Sequence, residues 1–488
     1  MASVLGIDIG TTGCKVIAVD DQGLRHRAYE EYPLSIPEVG AAELETEFVW
    51  QALRGAIRQV TGECSKPPEA LCVSVLGEAV TAVGKDRKPL APTMVSFDKR
   101  PNIYIDQLCR RISKENIQRI TGLEPLPHYA IFKWMWILNK RPEIYDEIWK
   151  LLCYGELVAV RLGFEPLIDY SMAARTLAFD LESLDWSPEI LSAAEIEIEK
   201  LPEIVAPGTI IGRLTDDMAA DLGLAQNAEF VVGGLDQACA AAGVGLDVGG
   251  KSLLSIGTTG VLAEVFQGAK KHVGTIPVIP HVTRSEKIAI AGTPAGGAVL
   301  RWFRDIIYQP VDSGGTSEIP IPYSEIIDSA ENCSTDMVFV PHLGGSRVAF
   351  SNPEAKGAFV GLTFGTDRCE LVRSILEGVA FEISLMKDVM REDGFRVDEL
   401  VAVGGGSKSK LWLQIMADIL DVSIASTESA DVAAFGAARI AAEAMDTGLD
   451  TSLLLIRDRF EPSAESSGVY SGKRERFIEF YKSLLISK

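Results

Sequence analysis

The pentapeptide Ile-Gly-Thr-Thr-Gly occurs at Ile9–Gly13 and again at Ile256–Gly260, 247 residues later (9 to 256) in a chain of 488. Glycine and threonine at a turn let backbone N–H groups approach a ligand closely. The threonine hydroxyls add further donors, so each copy has the chemistry to bind phosphate oxygens. Asp8 stands just before the first copy, at the end of an apolar run where aspartate is otherwise depleted. Beside a phosphate-binding turn its carboxylate suits Mg2+, directly or through water; the alternative is a side chain that caps the turn. A second acid, Asp236, follows Gly233-Gly234 where a strand pattern passes into an Ala-rich helical one. It could simply cap that helix. In a cleft between two repeated halves it could instead take the proton of a hydroxyl attacking a γ-phosphate. Gly404-Gly405-Gly406-Ser407, after a strand pattern and before a helical one, offers flat backbone on which a nucleotide can lie.

These groups need elements to hold them. Apolar runs flank each Gly-Thr turn, Val4–Asp8 with Val16–Val19 and Leu253–Ser255 with Val261–Val265, which is the pattern of a β-hairpin. The repeat therefore predicts two similar domains facing one phosphate chain, with the junction near the Gly-Gly before Asp236, giving domains 1–245 and 246–488. Helical spacing is expected over Glu47–Val60, Ile103–Ile120, Ala130–Asn139, Ile148–Leu162, Leu371–Met390, Leu411–Leu420 and Val432–Met445. Strands are expected at Ala70–Val75, Val80–Val83 after a turn at Gly77-Glu78, Glu229–Val232 and Leu400–Val403. Leu201–Gly212 reads as irregular, Thr293–Phe303 as a Gly-rich turn entering a helix, and Ser313–Pro322 as a loop. Trp134 and Trp136 read as packing residues.

Composition narrows the function. The net charge of −21 disfavours a nucleic-acid partner, and any phosphate ligand must be held locally by amides, helix ends and a divalent cation. The balance of 47% apolar and 24% charged residues is that of a globular protein. No run of 18 uncharged apolar residues suggests a membrane span, and no cleavage-type segment is expected at the start. Eight scattered cysteines without a CxxC pair are expected to be reduced thiols in a cytoplasmic protein, with no zinc site. No GxGxxG follows the first strand, so a Rossmann site is not supported.

Taken together, Gly6–Thr12, Gly-Gly-Leu-Asp-Gln around Asp236 and Gly257–Gly260 resemble the FGGY family of carbohydrate kinases. Gly357–Leu362, followed by Glu370-Leu371 and Ser374–Glu377, is similar to that family's C-terminal signature. Gly404–Ser407 with Trp412, Gln414, Ala417 and Asp418 is similar to its adenosine-binding segment. The resemblance runs in order from residue 6 to about 445. It implies an α/β fold of two ribonuclease-H-like domains, of the actin and hexokinase type, with ATP and sugar in the cleft between them. It also implies Asp236 as base, Asp8 near Mg2+, and Gly10, Thr11, Thr12 and Lys15 near the phosphates. Gly257, Thr258, Thr259 and Gly296 would form the second phosphate turn, and Gly404, Gly405 and Ser407 would lie near the nucleotide. The sugar would meet Gly77, Glu78, Asp98, Arg100, Asp236 and Gln237. Here the chain departs from the pattern. Ser96 stands where tryptophan is usual in W-x-D-x-R, and Gly77-Glu78 matches neither the Gln-Met-His of xylulose kinases nor the Gln-Arg-Glu of glycerol kinases. Glu78 would suit a hydroxyl pair or be an exposed turn acid. The expected acceptor is a ketopentose such as xylulose, with glycerol, another polyol or gluconate as alternatives. An actin- or chaperone-like ATPase and a sugar sensor are the non-kinase options, and a homodimer is possible.

Overall fold

The computed structural model describes residues 3–21, 23–246, 251–268, 276–283, 286–308, 321–347, 352, 354–427, 431–447 and 456–485. Both Gly-Thr pentapeptides sit at the tip of an antiparallel hairpin. The first joins β1 (Val4–Ile9) to β2 (Gly13–Asp20). To these are added β3 (Gly23–Glu31), the parallel strand β4 (Ala70–Val75), the edge strand β5 (Ile210–Arg213) and β6 (Glu229–Leu235), in the order β5-β6-β4-β1-β2-β3. The second pentapeptide joins β7 (Lys251–Ile256) to β8 (Gly260–Phe266). With β9 (Val278–Pro280), β10 (Lys287–Thr293), β11 (Glu399–Val403), β12 (Ser423–Thr427) and β13 (Ile456–Phe460) it forms a sheet ordered β9-β10-β8-β7-β11-β12-β13. Five strands of each sheet correspond one to one, β3-β2-β1-β4-β6 against β10-β8-β7-β11-β12. The internal repeat in sequence is thus a repeat of topology.

Central strands need apolar cover on both faces, and the burial follows. Every residue of β4 is buried. In the second sheet, neighbouring residues alternate between two cores as strand geometry requires. Leu254, Leu400 and Ala402 join the core beneath α6 (Arg368–Glu392) and α7 (Lys410–Leu420), while Leu253, Val401 and Val403 join the core of the first sheet. α1 (Thr46–Glu63) packs on β2 and β3. α4 (Asp236–Gly243) follows β6, and α8 (Val432–Ala444) holds the equivalent place after β12. These two helices pack together, with α8 lying on β1 and β4 of the first sheet and α4 touching β8 of the second. Small residues make this crossing possible. A Cβ added to Gly436 would lie 1.8 Å from the Cys239 carbonyl oxygen, and one on Gly243 would lie 2.0 Å from that of Val432.

Several expectations are corrected. Ile148–Leu162 is not one helix: Ile148–Leu152 is a strand paired with Thr81–Gly84, and the helix begins only at Tyr154. The Glu156 carboxylate accepts the Cys153 N–H at 2.7 Å and so starts that helix afresh. Ile103–Ile120 breaks at Ser113, whose hydroxyl accepts from the Asn116 N–H and caps a second helix. Leu201–Gly212 holds two short strands, Glu203–Val205 and the start of β5. Cys333 and Cys369 form a disulfide with their Cα atoms 6.1 Å apart; the other six cysteines are free thiols. Their separation of 36 residues gives no local motif to read. Most of the loop expected at Ser313–Pro322 lies outside the described residues. Among the described residues, no helix is long and apolar enough to cross a membrane.

Candidate active site

Asp8 lies at the end of β1 beside the first Gly-Thr turn. The turn is closed by the Gly10 N–H on the Gly13 carbonyl (3.0 Å) and by the Tyr32 hydroxyl on the Gly10 carbonyl (2.6 Å). Ser74, on the neighbouring β4, donates to Asp8 Oδ1 at 3.1 Å. Lys15 Nζ lies 3.9 Å from Asp8 and 3.9 Å from Asp431, the residue that precedes α8. Burial pushes the Asp8 carboxyl above its ordinary range, with Lys15 and the Ser74 bond opposing and the Asp431 charge adding to the rise.

Asp236 opens α4 at the end of β6. Its Oδ1 accepts the N–H of Gln237 at 2.8 Å, so the acid ties down the start of the helix, although the N-cap position itself is held by Leu235 and carries no side-chain cap bond. It also feels the other acids. Burial, and then the Asp8 charge, push its carboxyl up to about 8; Glu78 adds to the rise and Arg175 opposes it. Asp8, Glu78 and Asp236, expected from three separate segments, therefore converge. Glu78 is not exposed. It is buried at a φ of +59°, in the left-handed region, and its carboxylate takes the Arg175 guanidinium as ion pair and hydrogen-bond donor. Gly77 lies beside Arg175 too, since a Cβ there would come 2.9 Å from Leu235 and 3.8 Å from Arg175 Nε.

Further cations gather on this side. Arg175 stacks over the Tyr129 ring at 5.1 Å. Lys133, on α2 (Ala130–Lys140), is fully buried, and its ammonium donates to the His128 carbonyl at 2.7 Å. Burial pulls its pKa down to about 8, against the pull of Glu78 and Asp98. Arg347, from the second half of the chain, keeps solvent contact but lies within electrostatic reach of Glu78, Arg175 and Tyr129, and partial desolvation lowers its pKa. His128 is held well below its usual range by burial and then by Arg175, Arg347 and Lys133. Asp98 and Arg100 form a closed group a step away. Arg100 donates to Asp98 and Glu43, stacks over Trp136 at 4.7 Å, and the Ala42 N–H donates to Asp98 at 3.0 Å. Trp136 is thus a cation platform inside the protein, while Trp134 is core, as expected.

The second turn carries exposed Thr258 and Thr259 and rests on the start of α5 (Gly297–Phe303). The Gly297 and Ala298 N–H groups donate to the Gly257 and Thr258 carbonyls at 2.7 and 3.0 Å. Gly296 is packed so tightly that a Cβ would lie 2.5 Å from the Thr259 carbonyl carbon. Gly404, at φ +86°, abuts Ile256 and Gly257, so the Gly-rich segment and the second turn form one surface. Side chains added at Gly257 or Gly405 would meet nothing within 4 Å, which leaves open backbone for a ligand. The Ser407 hydroxyl turns inward and donates to the Gly404 carbonyl at 2.7 Å.

Sequence patterns of the FGGY family of carbohydrate kinases match this chain over both of their parts, the N-terminal domain at residues 3–243 and the C-terminal domain at 253–445. The chain belongs to this family. It is an ATP-dependent carbohydrate kinase of α/β architecture, with a fold of the actin and hexokinase type. A xylulose kinase of Escherichia coli (strain K12) is 29% identical over 489 residues, 99% of each chain. A gluconokinase of Bacillus subtilis (strain 168) is 28% identical over 443 residues, 89% of this chain and 86% of its own. The crystal structure of a ligand-bound xylulose kinase from Lactobacillus acidophilus superposes with a TM-score of 0.89, covering 100% of this chain and 99% of that one; at 23% identity it speaks for the fold alone.

The kinase site also contains residues that motif reading missed. Lys133 falls among Ile131, Phe132 and Trp134 on a helix, and a lone lysine in such a run signals a buried, purposeful charge. Arg175, at the end of an apolar stretch, carries the same signal. Arg347 carries no such mark. For Mg2+ and ATP the residues fit. Asp8, Asp236 and Asp431 offer hard carboxylate oxygens, two of them at raised pKa, in a place where added positive charge relieves repulsion.

Proposed function

We propose that this kinase transfers the γ-phosphate of ATP to a primary hydroxyl of a ketopentose, xylulose being the best candidate, in the cytoplasm. Support comes from the relatives named above and, above all, from one observation: Asp236 shares a buried charge cluster with Asp8 and Glu78 beside a Gly-Thr phosphate turn. In this mechanism Asp236 takes the proton of the acceptor hydroxyl as its oxygen attacks the γ-phosphorus in line. Its raised pKa gives it enough basicity for that task near neutral pH. Glu78, braced by Arg175, orients the acceptor's hydroxyls, with Gly77 and Gln237 beside it and Asp98-Arg100 stiffening the wall behind Lys133. Gly10, Thr11, Thr12 and Lys15 on one side, and Gly257, Thr258, Thr259 and Gly296 on the other, hold the phosphates. Gly404, Gly405 and Ser407 shape the nucleotide surface. Mg2+ near Asp8 would neutralise charge on the transferring group. The halves 1–245 and 246–488 would close over the substrates and exclude water.

A second acceptor class, the aldonates, is favoured by the three cations Arg175, Lys133 and Arg347 gathered on the Glu78 side of the charge cluster. A carboxylate on the sugar would be attracted there. Coupled ADP release over a panel of ketoses, aldonates and polyols decides between them. Fastest turnover per KM with xylulose supports the ketose assignment, and preference for gluconate replaces it. ADP release independent of any acceptor would leave only an ATPase.

A further inference from the structure

Behind Asp236 the chain is held in an unusual way. β6 runs parallel to β4 but slips register between Val231 and Gly234, and the slip falls just before the acid. Gly233 and Gly234 are required there. A Cβ on Gly233 would lie 2.1 Å from the Val73 carbonyl oxygen, and one on Gly234 would meet Val282, Ser171 Oγ and Asp169 Oδ2 at 2.6, 2.7 and 3.0 Å. A cavity of about 20 Å3, lined by these glycines, Glu156 and Asp169, lies behind the slip, so tight packing does not fix the strand on that side. A side chain does. The fully buried Ser171 accepts the N–H of Leu235, the peptide next to Asp236, at 3.0 Å.

Ser171 belongs to α3 (Tyr170–Ala174), a helix of one and a half turns. Its own position is set by Asp169, whose carboxylate accepts the Ser171 and Met172 N–H groups at 2.7 and 3.1 Å. The residue after α3 is Arg175, the partner of Glu78. One short segment thus grips the base-bearing peptide at one end and the acceptor-side carboxylate at the other. Residues 169–175 form the mechanical link between the two.

We infer that Ser171 is a positioning residue for phosphoryl transfer, fixing the direction in which Asp236 points, and that α3 transmits this hold to the acceptor pocket through Arg175. The inference rests on Asp236 being the base. Without the hydroxyl the Leu235 N–H loses this acceptor, and the strand end can relax into the neighbouring cavity. A base displaced by a fraction of an ångström loses in-line geometry with little effect on nucleotide binding.

The test is a set of five proteins: wild type, Ser171→Ala, Ser171→Thr, Asp236→Asn and the double variant Ser171→Ala/Asp236→Asn. Measured for each are kcat, acceptor KM, ADP affinity by calorimetry and melting temperature. Ser171→Ala should lower kcat by about 10–100-fold, with ADP affinity and melting temperature close to wild type. Ser171→Thr, which keeps the hydroxyl, should recover most of the rate. Once Asp236 is Asn, removing the hydroxyl should matter little, less than about twofold in kcat. Wild-type kcat in Ser171→Ala would overturn the inference. So would equal losses with and without Asp236, or a loss that tracks ADP affinity and melting temperature. Near-normal turnover in Asp236→Asn alone would instead remove the base assignment, and the inference with it.

Discussion

Replacing Asp236 by asparagine should stabilise the ligand-free protein, and the gain should depend on pH. The carboxyl titrates at about 8 in the fold, against a reference value of 3.8. Below about pH 4 the acid is protonated in both folded and unfolded chains, and it contributes no difference. As pH rises the unfolded chain ionises first, so the folded state loses stability until its own pKa is passed near 8. A gap of about four units corresponds to roughly 5–6 kcal/mol at the plateau. Water entering an open cleft screens part of it, and a gain of about 2–4 kcal/mol at pH 8 is the expected outcome. No hydrogen bond is lost, since an asparagine Oδ1 can accept the Gln237 N–H as the carboxylate does. Urea unfolding of both proteins at pH 5, 6.5, 8 and 9, without nucleotide or Mg2+, measures the difference. It should be small at pH 5, widen to pH 8 and level off. A gap that does not change with pH, or a variant less stable than wild type at pH 8, would refute the reasoning.

Three further outcomes are expected. Asp8→Ala should weaken the Mg2+ dependence of turnover, and excess Mg2+ should restore part of the activity; full activity at limiting Mg2+ would leave Asp8 only a turn residue. Gly436→Ala should destabilise the protein by about 3 kcal/mol or more, because its Cβ would lie 1.8 Å from the Cys239 carbonyl and force α4 and α8 apart; an unchanged melting temperature would show that the crossing yields easily. Sugar and a non-hydrolysable ATP analogue together should shrink the radius of gyration in small-angle scattering, with positive coupling between the two ligands of about 1–3 kcal/mol; an unchanged radius with independent affinities would mean a preformed cleft.

Much of this architecture could be read from local pattern. The hairpins around residues 10 and 257, β4, and the helices before residue 63 and after residue 368 carry periodicities that tertiary contacts reinforce. Ile148–Leu152 misled because four apolar residues in five fit a helix face as well as a strand, and only pairing with Thr81–Gly84 decides between them. Motifs located Asp8, Asp236 and Glu78, since each lies within two residues of a glycine whose place in a turn or strand end is visible. Ser171 meets Leu235 64 residues away, and Lys133, Arg175 and Arg347 feel Glu78 from 55, 97 and 269 residues away, so no spacing rule connects them. Glu78 shows the limit well. Its position was legible, but its burial depends on an arginine nearly a hundred residues downstream.

The most direct test of the catalytic account is the turnover of Asp236→Asn at saturating ATP, Mg2+ and the preferred sugar, at pH 8, with ADP affinity measured on the same protein. Loss of general-base catalysis should lower kcat by about 10²–10⁴-fold while ADP binds as to wild type. Asparagine starts a helix about as well as aspartate. Near-normal turnover would therefore mean that residue 236 only ties down the start of α4, and that the proton of the acceptor hydroxyl leaves by another route.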